Sequence, residues 1–121
     1  MKGKKILIVE DEKIFLESLV NFFQRKGIEA YGLETIEGAK ELLKTIIFDL
    51  IITDYKLTDG LGSEFLTTTL VPISTKIVII TGFADLNDKT LLDMGAKLVI
   101  HKPISKQELF EKVVTIMVTN L

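Results

Sequence analysis

The stretch Leu50-Ile51-Ile52-Thr53-Asp54 decides the fold, because a nearly continuous apolar run stops there at a carboxylate. Three further short apolar runs stop at polar residues: residues 6–9 at Glu10-Asp11, residues 77–80 at Thr81-Gly82, and residues 98–100 just before His101-Lys102-Pro103. Short apolar runs of this kind are typical of buried strands in a parallel sheet. Ligands of open α/β sheets bind at the carboxyl ends of the strands. We therefore expect these polar residues to meet at one edge, around Asp54.

Helical patterns separate the predicted strands. Phe15, Leu19, Phe22 and Phe23 have the spacing of one amphipathic stripe, and Gly27 is placed to end that helix. Residues 28–32 form a short strand. Residues 36–43 then predict a second helix, which Thr35 can cap.

The second half of the chain continues the alternation. A loop at residues 58–62 leads into a weak third helix, because residues 67–69 are threonines and Pro72 closes the segment. Asp85 can cap a fourth helix that ends at Gly95. Ser105 and Glu108 predict a capping box for the last helix. Five strand–helix units in succession indicate a doubly wound α/β fold with helices on both faces of a parallel sheet.

Composition limits the function classes. The 121 residues carry 15 basic and 17 acidic side chains, a net charge of −2, which gives no basic surface for nucleic acid or membrane lipid. The chain has no cysteine, which excludes disulfides, thiol nucleophiles and thiolate metal sites. No apolar run is long enough to span a membrane. We expect one soluble, cytoplasmic domain over residues 1–121, either complete or excised from a longer protein.

The polar residues at the strand ends suggest a phosphoryl-acceptor site. Glu10 and Asp11 suit a hard divalent cation such as Mg²⁺, and Asp54 could be a nucleophile or a further ligand. The Thr81 hydroxyl and the Lys102 ammonium could bind an anion. Taken singly, each has an ordinary explanation as a helix-start acid, a strand residue or a surface charge. Together they would hold an anion beside a carboxylate whose charge is offset by cations.

These residues resemble the receiver domain of two-component response regulators, and the resemblance covers essentially the whole chain. The matching segments are Ile6-Leu7-Ile8-Val9-Glu10-Asp11-Glu12, Asp54-Tyr55-Lys56-Leu57, Thr81-Gly82 and Lys102-Pro103. The resemblance implies a flavodoxin-like five-stranded sheet of order 2-1-3-4-5 with five helices. It also implies a Lys102–Pro103 peptide bond that is often cis.

The resemblance further implies a role for each site residue. Asp54 would accept a phosphoryl group from a phosphohistidine on a histidine kinase or phosphotransfer protein. Asp11, Asp54 and the Lys56 backbone carbonyl would bind Mg²⁺, with Glu10 acting through metal-bound water. Thr81 and Lys102 would contact the phosphoryl oxygens. A downstream protein or output domain would bind the fourth helix, fifth strand and fifth helix. The domain would not be an enzyme beyond slow self-dephosphorylation, and would bind no nucleic acid or membrane.

The chain departs from the family pattern at several positions. Val99 stands where the family usually has Phe or Tyr, and we hypothesise that Phe83 moves during switching instead. Thr58 stands where a proline is usual, so the loop after Asp54 is expected to be more mobile. Lys56 and Phe83 flank the phosphorylation site and could slow hydrolysis. His101 is interpreted as a partly exposed strand-end residue.

Other function classes are weaker. An aspartate-nucleophile phosphatase of the haloacid-dehalogenase type usually has a second Asp where this chain has Lys56. A flavodoxin would need a phosphate-binding loop after the first strand, where Glu10, Asp11 and Glu12 would repel phosphate. The remaining alternative is a pseudo-receiver, an interaction module that works without phosphorylation; Val99 leaves room for it.

Overall fold

The fold is seen in a computed structural model, which describes residues 3–82 and 87–118. Its central sheet has five parallel strands: β1 (Lys5–Val9), β2 (Glu29–Leu33), β3 (Leu50–Asp54), β6 (Lys76–Thr81) and β7 (Leu98–His101). Their spatial order is β2-β1-β3-β6-β7. Counted along the chain, that is the predicted order 2-1-3-4-5. Two-residue strands β4 (Lys56–Leu57) and β5 (Gly60–Leu61) pair separately as an antiparallel hairpin directly after β3.

The helix count differs from the prediction. The described residues contain four α-helices: α1 (Lys13–Arg25), α2 (Ile36–Leu43), α3 (Asp88–Asp93) and α4 (Lys106–Val118). Where a third of five helices was predicted, the chain forms only a short 3₁₀-helix, Gly62–Leu66. The physical reason is the run of three threonines and then Pro72, which cannot continue an α-helix.

The sheet divides the core into two apolar layers. Alternate residues of β1 point to opposite faces, so Ile6 and Ile8 pack under α1 and α4, while Leu7 and Val9 pack on the other side. Strands β1, β3 and β6 are apolar on both faces because both faces are covered, which is why they read as continuous runs in the sequence. The burial holds the strand ends in fixed positions relative to one another.

The helix ends follow most of the predicted signals. Gly27 has φ 84° just beyond α1, and the Thr35 hydroxyl accepts a 3.0 Å hydrogen bond from the Gly38 amide. Ser105 accepts a 3.1 Å bond from the Glu108 amide, although the Glu108 carboxylate accepts from the Ser105 hydroxyl rather than from its amide. The predicted cap Asp85 lies outside the described residues.

Helix α3 begins later than predicted. Its first residue is Asp88, and the Asn87 side chain caps it by accepting a 3.0 Å hydrogen bond from the Lys89 amide. Gly95, with φ 117°, follows its end as predicted. The Asp88 carboxylate lies 2.7 Å from the ring nitrogen Nε2 of His101 at the end of β7. His101 is therefore exposed and paired, in agreement with its interpretation as a strand-end residue.

Candidate functional site

The register of the parallel strands brings distant residues to one edge of the sheet. Asp54 is the last residue of β3 and lies opposite Ile80, while Thr53 lies opposite Val9 at the end of β1. Glu10 and Asp11 directly follow Val9. On the other side of β6, Thr81 pairs with His101, the residue before Lys102. The ends of three apolar runs thus converge on Asp54.

Three carboxylates form a cluster at this edge. One oxygen from each of Glu10, Asp11 and Asp54 lies within 4.8 Å of the others. Glu10 is almost completely buried, with 3% of its surface exposed, whereas Asp11 and Asp54 are partly exposed. The Lys102 ammonium lies 3.3 Å from Oδ2 of Asp54 and 3.5 Å from Oε2 of Glu10. One cation therefore faces two of the three acids.

Burial and charge shift the acidities of the cluster. Burial raises the pKa of the Glu10 carboxyl, and the Asp54 charge raises it further. Burial also raises the pKa of Asp54, although the Lys102 ammonium opposes that rise. Burial by itself would lower the pKa of Lys102, but attraction to Asp54 and Glu10 outweighs it and the net pKa is raised. Lys102 thus stays charged beside acids that take up protons more readily than usual.

Local hydrogen bonds orient the carboxylates of Asp54 and Glu10. The Tyr55 amide donates a 3.0 Å bond to Oδ1 of Asp54, and the Glu12 amide donates a 3.2 Å bond to Oε1 of Glu10. The ammonium of Lys102 also lies 5.7 Å from the centre of the Phe15 ring, within the range of a cation–π contact. Each carboxylate therefore keeps its other oxygen turned to Lys102.

The cluster opens into a cleft of about 460 Å³. Its lining residues come from four strand ends and from the hairpin: Asp11, Asp54, Lys56, Leu57, Thr58, Gly82 and Lys102. Carboxylate oxygens at this spacing are the hard ligands that Mg²⁺ prefers, so the donor set fits that ion. The Lys56 carbonyl, which we predicted as a ligand, belongs to a residue of the cleft wall.

Thr81 is placed differently from the acids. It is fully buried at the end of β6, and it is Gly82 rather than Thr81 that lines the cleft. The Lys102–Pro103 peptide bond is cis, as the resemblance implied. Val99 packs at the edge of the apolar layer that contains Leu91 and Ala96. The hypotheses on Phe83 fall outside the described residues.

Sequence reasoning missed two residues beside the site. Asp59 reads as a turn residue, yet its carboxylate binds the start of α2, 23 positions earlier. Gly62 passes so close to β3 that a Cβ there would lie 2.2 Å from the backbone oxygen of Asp54. No local sequence pattern predicts either contact. The one available signal is the pair of glycines in Thr58-Asp59-Gly60-Leu61-Gly62, because glycine permits the close approach of two backbone segments.

Comparison with known proteins identifies the family. A family model described as the response regulator receiver domain matches residues 6–114. This chain belongs to that family. The receiver domain is 34% identical over 110 residues to the TorCAD operon transcriptional regulatory protein TorR of Escherichia coli K12, covering 89% of this chain and 47% of TorR. It is 32% identical over 111 residues to the transcriptional regulatory protein BasR of the same organism, covering 90% of this chain and 50% of BasR.

Solved structures share the fold. A CheY-like response regulator receiver domain protein from Methanospirillum hungatei JF-1 has a TM-score of 0.86 and 28% identity, over 94% of this chain and 93% of that one. A two-component response regulator from Clostridium difficile has a TM-score of 0.83 and 27% identity, over 95% and 96% of the two chains. The receiver domain spans about half the length of the curated relatives it matches. Within residues 3–82 and 87–118, no helix has the length and apolarity to cross a membrane.

Proposed function

We propose that this receiver domain is a phosphorylation-switched signalling domain in which Asp54 is the phosphoacceptor. The observation that carries the proposal is the contact of the Lys102 ammonium with both Asp54 and Glu10, at the mouth of a cleft. A structural salt bridge would need one acid. A third carboxylate, Asp11, leaves the cluster with surplus negative charge that a bound cation would offset.

The proposed reaction is an exchange of phosphoryl bonds. An oxygen of the Asp54 carboxylate attacks the phosphorus of a phosphohistidine on a partner, a new P–O bond forms, and the P–N bond breaks. The imidazole nitrogen leaves with the bonding electron pair and takes up a proton. Asp54 is suited to this because its amide contact fixes one oxygen while 12% of its side-chain surface stays exposed to the cleft.

Mg²⁺ is the proposed cofactor, and it would neutralise charge on the phosphoryl oxygens when bound. Asp11, Asp54 and the Lys56 carbonyl would hold it, with Glu10 acting through water. Lys102 would then move from the acids to the phosphoryl group as a point charge. Thr81 is fully buried and is not among the residues that line the cleft, so we propose that its side chain moves towards the cleft to contact the same group. That movement is the proposed start of the switch.

The proposed partners are a histidine kinase or a histidine phosphotransfer protein on the donor side. On the output side we propose a downstream protein or a joined output domain, bound at the face made by α3, β7 and α4. The His101–Asp88 contact ties β7 to α3 across this face, at 2.7 Å. We propose no catalytic turnover beyond slow self-dephosphorylation, slowed by Lys56 beside the cleft.

The test is a phosphorylation assay with a small-molecule phosphoryl donor and Mg²⁺, read by intact mass. The wild type should gain one phosphoryl group, and Asp54→Ala should gain none. Asp49→Ala is the matched control, because Asp49 precedes β3 and binds the Lys5 amide away from the cleft. Failure of the folded wild type to gain mass while it binds Mg²⁺ would favour the pseudo-receiver.

A further inference from the structure

The β4–β5 hairpin forms one wall of the phosphorylation cleft. Lys56, Leu57 and Thr58 all line the cleft, and they belong to the hairpin or its turn. Leu57 is buried in the apolar layer below, which fixes the base of this wall. The turn residues Thr58 and Asp59 connect β4 to β5 at the tip of this wall. Contacts made at the tip therefore contribute to the position of the wall.

Asp59 makes the contact at the tip. Its Oδ1 accepts a 2.9 Å hydrogen bond from the Ile36 amide, and its Oδ2 accepts a 3.0 Å bond from the Glu37 amide. These are the first two amides of α2, which have no partner within the helix. The two bonds lower the pKa of Asp59 below its usual value, so the carboxylate stays charged at the helix N-terminus.

The rest of the tip packs closely against the same region. A Cβ on Gly60 would lie 2.9 Å from Cδ1 of Ile36 and 2.4 Å from Oε2 of Glu64. That Glu64 oxygen accepts a 3.3 Å hydrogen bond from the Leu61 amide, and its other oxygen pairs with Lys40 of α2 at 3.3 Å. The hairpin is thus joined to α2 at its turn, through Asp59, and on its β5 side, where Glu64 links the Leu61 amide to Lys40.

We propose that Asp59 is a positioning residue for the metal side of the cleft, an inference that rests on the proposed function. Thr58 occupies a place where proline, with its fixed φ, would stiffen the turn. In this chain the two hydrogen bonds from α2 to Asp59 supply that restraint instead. They hold the turn, and through it the Lys56 segment, at the distance from Asp54 that a shared cation requires.

The test compares two variants that each remove one cap of α2. Asp59→Ala frees both the helix start and the hairpin, whereas Thr35→Ala removes only the hydroxyl that accepts from Gly38. We expect Asp59→Ala to weaken Mg²⁺ binding about tenfold, measured by calorimetry. Removing a residue that orients a metal ligand typically has an effect of this size. Thr35→Ala should leave the dissociation constant essentially unchanged. At saturating Mg²⁺, Asp59→Ala should regain the wild-type rate of phosphoryl uptake.

A second variant distinguishes positioning from general loss of structure. Among the described residues, positive φ values occur only at glycines, so Thr58 has the backbone sign that proline requires. Thr58→Pro in the Asp59→Ala background should therefore restore most of the Mg²⁺ affinity. Equal Mg²⁺ affinities for Asp59→Ala and Thr35→Ala, or a failure of the proline to restore the affinity, would overturn this inference and leave the proposed function standing. A wild type that binds no Mg²⁺ would overturn the proposed function as well.

Discussion

The ammonium nitrogen of Lys102 lies 3.3 Å from Oδ2 of Asp54, although the two residues are 48 positions apart in the chain. The same nitrogen lies 3.5 Å from Oε2 of Glu10. Asp11 completes the cluster of three carboxylates, two of which contact this one ammonium group. The cluster keeps an excess of negative charge at a partly buried edge, which costs stability and at the same time prepares a cation site.

The first prediction is that Asp54→Asn stabilises the metal-free protein at pH 7. Because the folded pKa of Asp54 is raised, the folded state holds its proton more tightly than the unfolded state does. The stability of the wild type therefore falls as pH rises from the unfolded pKa through the folded pKa. Asparagine removes that loss, and we expect a gain of about 1 kcal/mol, roughly 4 °C in Tm.

Thermal unfolding in EDTA across pH measures this gain. It should vanish by about pH 3, well below the ordinary Asp pKa of about 3.9, where the carboxyl is neutral in both the folded and the unfolded state. Asp93→Asn is the control, because Asp93 is an exposed acid of α3 that pairs with Lys89. A gain at pH 7 that persists unchanged in acid would contradict the explanation.

The second prediction is that Mg²⁺ raises the Tm of the wild type more at pH 7.5 than at pH 5. The raised pKa values of Glu10 and Asp54 mean that protons compete with the cation as pH falls. An ion that binds only the folded state stabilises it in proportion to the logarithm of its concentration. Chelation should reverse the effect, and Asp54→Asn should abolish most of it. An equal rise at both pH values would count against the cluster as the site.

The third prediction concerns the close passage of Gly62 over β3. Alanine there would place a Cβ 2.2 Å from the Asp54 backbone oxygen and 2.9 Å from the Thr53 hydroxyl, and neither β3 atom can move easily. We expect Gly62→Ala to cost about 1–3 kcal/mol in urea unfolding. Gly82→Ala is the matched control, since a Cβ there meets nothing within 4 Å. Similar losses in both variants would show that the close approach is not the cause.

The fourth prediction is that Lys102→Gln raises the pKa values of Glu10 and Asp54 further. The ammonium now opposes the burial of both acids, and a neutral amide cannot. Carboxyl ¹³C NMR titration measures the two pKa values directly. Lys106→Gln is the control, because that ammonium binds the Ser18 hydroxyl away from the cluster. Unmoved carboxyl titrations in Lys102→Gln would mean that the salt bridges are absent in solution.

Much of the fold was readable from the sequence because its strands are buried on both faces. Strands such as β1 and β3 then appear as short apolar runs, because neither of their faces needs polar residues for contact with water. Gly27, Thr35 and Gly95 marked helix ends by their backbone or capping chemistry, and all three were confirmed. The prediction of a third α-helix was wrong. The threonines and the proline that follow allow only the 3₁₀-helix Gly62–Leu66.

The sequence by itself also determined which residue types stand at the strand ends, since each follows directly from where an apolar run stops. Only the tertiary structure decided how they are arranged. It placed Lys102 between two acids, buried Thr81 completely, and joined Asp59 to α2. Such contacts join residues separated by 23 to 92 positions, as Asp59 with Ile36 and Lys102 with Glu10 illustrate. The physical reason is that local patterns specify strands and helices, whereas side-chain distances across a sheet edge depend on register and packing.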